Sequence, residues 1–153
     1  FPYTTLFRSG PGDNFDPGTA HVLPALLRRA HEAKRRGARR LTIWGTGRPQ
    51  REFLHVDDCA DALVLLMTRY SGESPVNVGS GREVTIEALA RLIMEVVGLE
   101  GPLEHDLFKP DGAPRKLLDG TKLAALGWRP SIPLERGVRE VYREMASALD
   151  GVS

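Results

Sequence analysis

LTIWGTGRPQREFLHVDD, residues 41–58, holds the signals that decide the fold class. Leu41–Trp44 reads as a short strand, and Gly45-Thr46-Gly47 ends it in a turn. Phe53 to Val56 is expected to be extended. Asp57 or Asp58 then has the side chain to cap a helix running through Ala60, Leu63, Leu66 and Met67. A strand, a turn, a second extended run and a helix start thus follow one another with no long linker. That alternation belongs to an α/β protein.

The flanks repeat the pattern. Upstream, residues 10–19 (GPGDNFDPGT) form a loop dense in Gly, Pro, Asp and Asn. A helix is expected from Ala20 to Arg36, because Val22, Leu23, Leu26, Leu27, Ala30 and Ala33 recur at helical spacing. Thr19 is placed to cap it, Pro24 falls in its first turn, and Gly37 sits where a left-handed C′ residue belongs. Downstream, Val76-Asn77-Val78 reads as a short strand stopped by Gly79-Ser80-Gly81. Thr85 caps a helix with Ile86, Leu89, Ala90, Ile93, Val96 and Val97 on one face, and Gly98 ends it. Residues 107–118 read as a charged loop, residues 121–126 as a short helix ending at Gly127, and Leu134 to Leu149 as an amphipathic helix with Val138, Val141, Tyr142 and Met145 inward. The helices over 20–36 and 58–69 are expected to expose apolar surface that a sheet would cover.

Residues 1–9 (FPYTTLFRS) stand apart. The string is similar to the translation of a sequencing-adapter oligonucleotide and reads as a non-native scar, so the domain is taken as residues 10–150. The alternative is a genuine strand, since Tyr3, Thr4, Thr5 and Phe7 favour extended backbone. With the scar reading comes the expectation that the protein was longer and that this is its C-terminal part.

Composition narrows the partners. Twenty-one basic and 20 acidic residues leave a net charge of +1, which gives no electrostatic case for nucleic acid or an anionic membrane. The basic stretch at 34–40 reads as a solvated helix end, where cations also favour the helix dipole. A lone cysteine, Cys59, excludes an intrachain disulfide, fits a reducing, cytoplasmic setting, and lies in an apolar helical pattern as a packing residue. No apolar run approaches the ~20 residues of a membrane span.

Complete catalytic motifs are missing from the chain. Gly10-x-Gly12, Gly45-x-Gly47 and Gly79-x-Gly81 all lack the third glycine of the dinucleotide fingerprint. Tyr3, Tyr70 and Tyr142 are followed four positions on by Phe7, Ser74 and Ala146, so no Tyr-x-x-x-Lys pair exists. No His/Cys/carboxylate cluster has metal spacing. His55 stands beside two carboxylates but is read as orienting the loop and capping the following helix, and His31 and His105 carry no signal.

Five runs nonetheless resemble one family. GPGDNFDPGTAHVLPALLRR, WGTGRPQREFLHVDD, NVGSG, KPDGAPRKLLD and LGWRP are together similar to the GDP-L-fucose synthases of the extended short-chain dehydrogenases. R-x-F-x-H-V-D-D, NVG and LGW-x-P recur across that superfamily. The Asp-Asn-Phe-x-Pro and Lys-Pro-Asp-Gly-x-Pro-Arg-Lys runs are narrower. The resemblance implies the C-terminal, substrate-binding part of a Rossmann-type α/β fold, with most of the dinucleotide-binding half absent. It implies NADP(H) as cofactor, GDP-4-keto-6-deoxy-D-mannose and GDP-L-fucose as ligands, and a homodimeric full-length enzyme in the cytoplasm. It also places Arg29, Trp44, Arg51 and Asp111 at the substrate, and His21 as a catalytic acid that also contacts the cofactor. Without it, the two arginines read as solvated surface residues, Trp44 as a core aromatic at a strand end, and His21 as a helix-terminal residue.

The physical chemistry suits those assignments. A diphosphate favours bidentate guanidinium donors, and a base favours an aromatic platform. Inverting a carbon α to a ketone needs an acid whose proton exchanges near neutral pH, which histidine supplies. The alternatives are a UDP- or dTDP-sugar epimerase or dehydratase of the same superfamily, and a non-catalytic nucleotide-sugar-binding module.

Overall fold

The computed structural model describes residues 7–10, 12–16 and 18–151. In chain order its elements are β1 (Phe7–Ser9), α1 (Val22–Arg35), β2 (Leu41–Trp44), β3 (Gln50–His55), α2 (Val56–Arg69), β4 (Glu83–Thr85), α3 (Ile86–Val97), β5 (Leu103–Asp106), β6 (Arg115–Lys116), α4 (Thr121–Ala125) and α5 (Leu134–Asp150). β3 is the hub. Its C-terminal half pairs in parallel with β1, and its N-terminal half lies between antiparallel β4 and parallel β6. β2 and β5 form a separate parallel pair in the register Leu41↔Leu103 to Trp44↔Asp106.

Successive residues of a strand face opposite ways, and β3 uses this to divide two cores. Phe53 joins the larger one, built from the inner faces of α1, α3 and α5 with Leu41 and Ile43 of β2. Leu54 joins the smaller one, with Cys59, Ala62, Val78, Leu123 and Trp128. Cys59 is therefore packing, as its apolar surroundings predict.

Three turns come out as the sequence requires. Gly37 has φ +69°, with its N–H on the Lys34 carbonyl and that of Ala38 on the Ala33 carbonyl, the Schellman pattern. Gly98 ends α3 at φ +69°, and Thr85 caps the other end by accepting from the Ala88 N–H at 3.1 Å. His55 caps α2, its Nδ1 accepting from the Asp57 N–H at 3.3 Å. That contact puts the ring proton on Nε2, which faces Glu140 Oε2 at 3.5 Å. Gly137 lets α5 come this close: a Cβ there would lie 3.1 Å from the His55 ring.

Several expectations need correcting. Phe7–Ser9, set aside with the scar, is a strand in the β3 sheet; Tyr3, Thr4 and Thr5 lie outside the described residues. The residue at the α1 N-cap is His21, not Thr19, whose N–H and hydroxyl are bound to Asp16 Oδ1 in the preceding loop. α2 starts at Val56 rather than after Asp57 or Asp58, because His55 has already capped it. Residues 76–78 are not a strand: Val78 packs in the smaller core and Asn77 Nδ2 donates to the Asp119 carbonyl instead of a ladder. α1 does not expose its apolar face, because α3 and α5 cover it. α2 does expose one, with Leu63, Val64 and Met67 in solvent. His31, which carries no sequence signal, is buried in α1 with Nδ1 3.3 Å from the Tyr142 hydroxyl of α5.

The basic stretch is tied down. Lys34 Nζ donates to the Val97 carbonyl at the C-terminal end of α3. Arg35, Arg36, Arg39 and Arg40 lie within ion-pair distance of Asp150, Glu32, Glu100 and Glu104.

Candidate functional site

The motif around β3 works by sending each polar side chain to a different loop. Glu52 is buried, accepting from the Gly81 N–H at 2.6 Å and the Leu118 N–H at 3.0 Å. Gly79 leaves it room, since a Cβ there would lie 2.5 Å from Glu52 Oε1. Asp58 is also buried, accepting from the Ser131 N–H and hydroxyl at 3.0 and 2.8 Å and the Ile132 N–H at 2.9 Å. Burial pushes the Asp58 carboxyl up, but those donors and nearby His55 outweigh it and hold it below the ordinary carboxylate range. Glu52, His55 and Asp58 are struts, and they fix the strand from which Arg51 projects.

Arg51 lies in β3 and is not the solvated surface residue that the sequence by itself suggests. It is only 7% exposed, with Nη1 donating to the Gln50 carbonyl at 2.7 Å and the Ala113 carbonyl at 2.6 Å. Its Nη2 would lie 2.8 Å from a Cβ on Gly112, so that glycine leaves the guanidinium its space. Trp44 closes β2, opposite Asp106, and is 62% exposed, with Lys109 Nζ 5.6 Å from its ring centroid. A core position for Trp44 is thereby excluded. Asp111 meets the turn after Trp44: Thr46 donates through N–H to Oδ1 at 2.8 Å and through Oγ1 to Oδ2 at 2.7 Å. These two bonds lower the Asp111 pKa, Thr46 Oγ1 contributing most.

Arg29 reaches the same region from below. It is half-buried in α1, and Nη2 donates to the Thr42 carbonyl of β2, two residues before Trp44. Burial pulls its pKa below the usual arginine value, with no carboxylate raising it. Trp44 and Asp111 thus meet through the 45–47 turn, Arg51 contacts the loop that carries Asp111, and Arg29 contacts β2 two residues before Trp44. His21 stands at the start of α1, about 12 Å of helix rise from Arg29. Its side chain makes no capping hydrogen bond.

Among the described residues, most helix and strand arginines have a carboxylate partner: Arg28, Arg91, Arg115, Arg136 and Arg139 lie within 4 Å of one, in addition to the basic stretch above. Arg29 and Arg51, which burial should drive hardest toward an anion, have none. An open cleft of about 740 Å³ lies elsewhere, between the Gly79–Gly81 turn, Leu117, Leu118 and Trp128. None of the five predicted residues lines it, and its two arginines are engaged, Arg115 by Glu83 and Arg129 by the Ala124 and Trp128 carbonyls. No cluster of three or more His, Cys, Asp or Glu side chains suited to a metal occurs among the described residues, and no described helix is long and apolar enough to cross a membrane.

The long-range contacts of Thr46, Lys109, Glu52 and Asp58 escaped the sequence reading. Thr46 sits between two turn glycines and looks like turn material until Asp111 is seen 65 residues away.

Known proteins are similar to this chain in sequence and fold. Residues 6–79 match the NAD dependent epimerase/dehydratase family. GDP-L-fucose synthase 1 of Arabidopsis thaliana is 61% identical over 133 residues, 87% of this chain and 41% of that protein. The GDP-L-fucose synthase of Escherichia coli strain K12 is 48% identical over 143 residues, covering 88% of this chain and 44% of its own. The solved GDP-L-fucose synthetase of Naegleria fowleri bound to NADP superposes with a TM-score of 0.87 at 27% identity, over 94% of this chain and 46% of that one. The chain spans about two-fifths of the curated relatives' length. Over most of its own residues, then, this chain is homologous to part of the GDP-L-fucose synthases, and it carries the epimerase/dehydratase family pattern across residues 6–79.

Proposed function

We propose that this chain forms the nucleotide-sugar-binding part of an enzyme that converts GDP-4-keto-6-deoxy-D-mannose to GDP-L-fucose by 3,5-epimerisation and NADPH-dependent reduction at C4. The observation that carries the reading is the pair Arg29 and Arg51. Two buried or half-buried guanidiniums with carbonyl acceptors but no carboxylate leave positive charge uncompensated. Burying charge in that way is costly unless an anion arrives, and a diphosphate is an anion that two guanidiniums suit. Trp44, exposed at the end of β2, offers a face for the base.

Bound to the full-length enzyme, NADPH would supply the hydride for the C4 ketone. The residues here do not fit its pyrophosphate, because no strand–helix turn among the 153 residues has the three-glycine pattern. What they can do is bind the substrate and move a proton. In this reading a base elsewhere in the full-length enzyme takes the proton α to the ketone from C3 and then from C5, the C–H electrons passing into the enolate. His21 returns a proton to the opposite face of each enolate, acting as general acid near neutral pH and regaining its proton from solvent. The exposed apolar stripe of α2 packs against the dinucleotide-binding half, the full-length enzyme is a homodimer, and it works in the cytoplasm.

The test is a calorimetric titration of the chain with GDP and with UDP. Saturable GDP binding, weakened about 10-fold or more by Arg29→Met, is expected, since charge-assisted contacts are each worth roughly that factor. Equal affinity in wild type and Arg29→Met, or preference for UDP, would overturn the reading.

A further inference from the structure

The loop from Leu107 to Ala113 carries Lys109 and Asp111 to the site and lends Arg51 a carbonyl acceptor. Its ends are secured by backbone: the Lys109 N–H bonds the Asp106 carbonyl, and the Gln50 N–H bonds the Pro114 carbonyl. Between them the residues are exposed, and the middle of the loop is gripped by Thr46 through Asp111. That grip is two-pronged, one donor to each carboxylate oxygen. Gly45 makes it possible twice over: it takes φ +69°, and a Cβ there would lie 2.2 Å from Asp111 Oδ1.

A carboxylate is a poor neighbour for a diphosphate, which makes its presence beside Arg51 a question. Its own bonding answers it. An ionised Asp has about four acceptor sites, and Thr46 takes one on each oxygen, leaving the others to donors rather than to phosphate. With Asp111 held down on the 45–47 turn, Lys109 stays over Trp44 and the Ala113 carbonyl stays on Arg51. We infer that Thr46 is a positioning residue that latches the 107–113 loop through Asp111 and so shapes the nucleotide site. The inference rests on the nucleotide-diphosphate reading of Arg29, Trp44 and Arg51.

The test compares Thr46→Val, Thr46→Ser and Asp111→Ala in the full chain, with GDP as the probe. Thr46→Val keeps the shape and the N–H donor but removes Oγ1. GDP binding should weaken about 10-fold, a hydrogen bond to a charged group being worth about that factor. The ¹⁵N order parameters of residues 108–112 should fall from the ordered range of about 0.85 toward 0.6. Thr46→Ser should restore both. In an Asp111→Ala background, Thr46→Val should cost nothing further, because the latch is already open. Unchanged loop order in Thr46→Val, unchanged GDP affinity, or an equal loss in the Asp111→Ala background each overturns the positioning role. Absence of GDP binding by the wild-type chain refutes the nucleotide reading itself, and the role with it.

Discussion

Replacing Asp58 by Ala removes the buried strut between β3–α2 and the turn that leads into α5. The side chain is 4% exposed and accepts three hydrogen bonds, two from backbone N–H groups that have no alternative rotamer. Each buried donor left unsatisfied costs about 1–3 kcal/mol. Ser131 is exposed, so water relieves part of the loss and the low end applies. The expected total is about 3 kcal/mol at pH 7. For a chain of this size that is roughly 6–12 °C in Tm. The carboxyl has a folded-state pKa below its unfolded value of about 3.9. Its contribution is therefore present above about pH 4 and disappears as pH falls through the folded-state value. Urea unfolding of wild type and Asp58→Ala at pH 7, 5 and 3 measures it, with Trp128 fluorescence reporting the smaller core. A loss under about 1 kcal/mol at pH 7, or one as large at pH 3 as at pH 7, would refute the strut.

Gly45→Ala should abolish GDP binding and lower Tm, because Gly45 is buried at φ +69° and the added methyl lands on Asp111; full affinity by titration would contradict the geometry. Replacing Leu63 and Val64 of α2 by Gln should leave the melt of the chain unchanged and reduce binding of an apolar dye, since both side chains face solvent. A large drop in Tm would show that the stripe is already packed. The chain alone should oxidise no NADPH in the presence of the keto-sugar nucleotide, and a loss of NADPH absorbance faster than in a buffer blank would count against the assignment of the hydride step elsewhere. In a full-length enzyme carrying these residues, His21→Asn should slow solvent-deuterium incorporation at C3 and C5 by about 100- to 10,000-fold, the usual range for a general acid. Exchange at the wild-type rate would leave His21 a helix-terminal residue.

What the sequence made legible was local. Gly37, Gly98 and Thr85 declare their turns within a few residues of chain, and the apolar spacing of α1, α3 and α5 survives intact in the larger core. What it hid was long-range. Leu103–Asp106 (LEHD) has little strand character, and it is extended because β2 offers it a ladder. Residues 76–78 have the composition of a strand but find no ladder partner, so side-chain contacts decide their path. The R-E-F-x-H-V-D-D run was recognisable as a superfamily pattern, but not why it exists. Glu52 and Asp58 hold loops 29 and 73 residues away, and no spacing rule reveals that. The site residues came from resemblance, and only the folded chain shows what sets Arg29 and Arg51 apart: the other described arginines without a carboxylate partner are exposed, whereas these two are half-buried and buried.

The function proposed for Arg29, Trp44 and Arg51 depends on where a nucleotide sits, and hydrogen–deuterium exchange with and without saturating GDP locates it directly. Protection is expected in peptides covering residues 42–51 and 106–114 and around Arg29, with residues 117–130 unchanged. Protection confined to the cleft of Gly79–Gly81, Leu117, Leu118 and Trp128, with Trp44 and Arg51 unaffected, would contradict it.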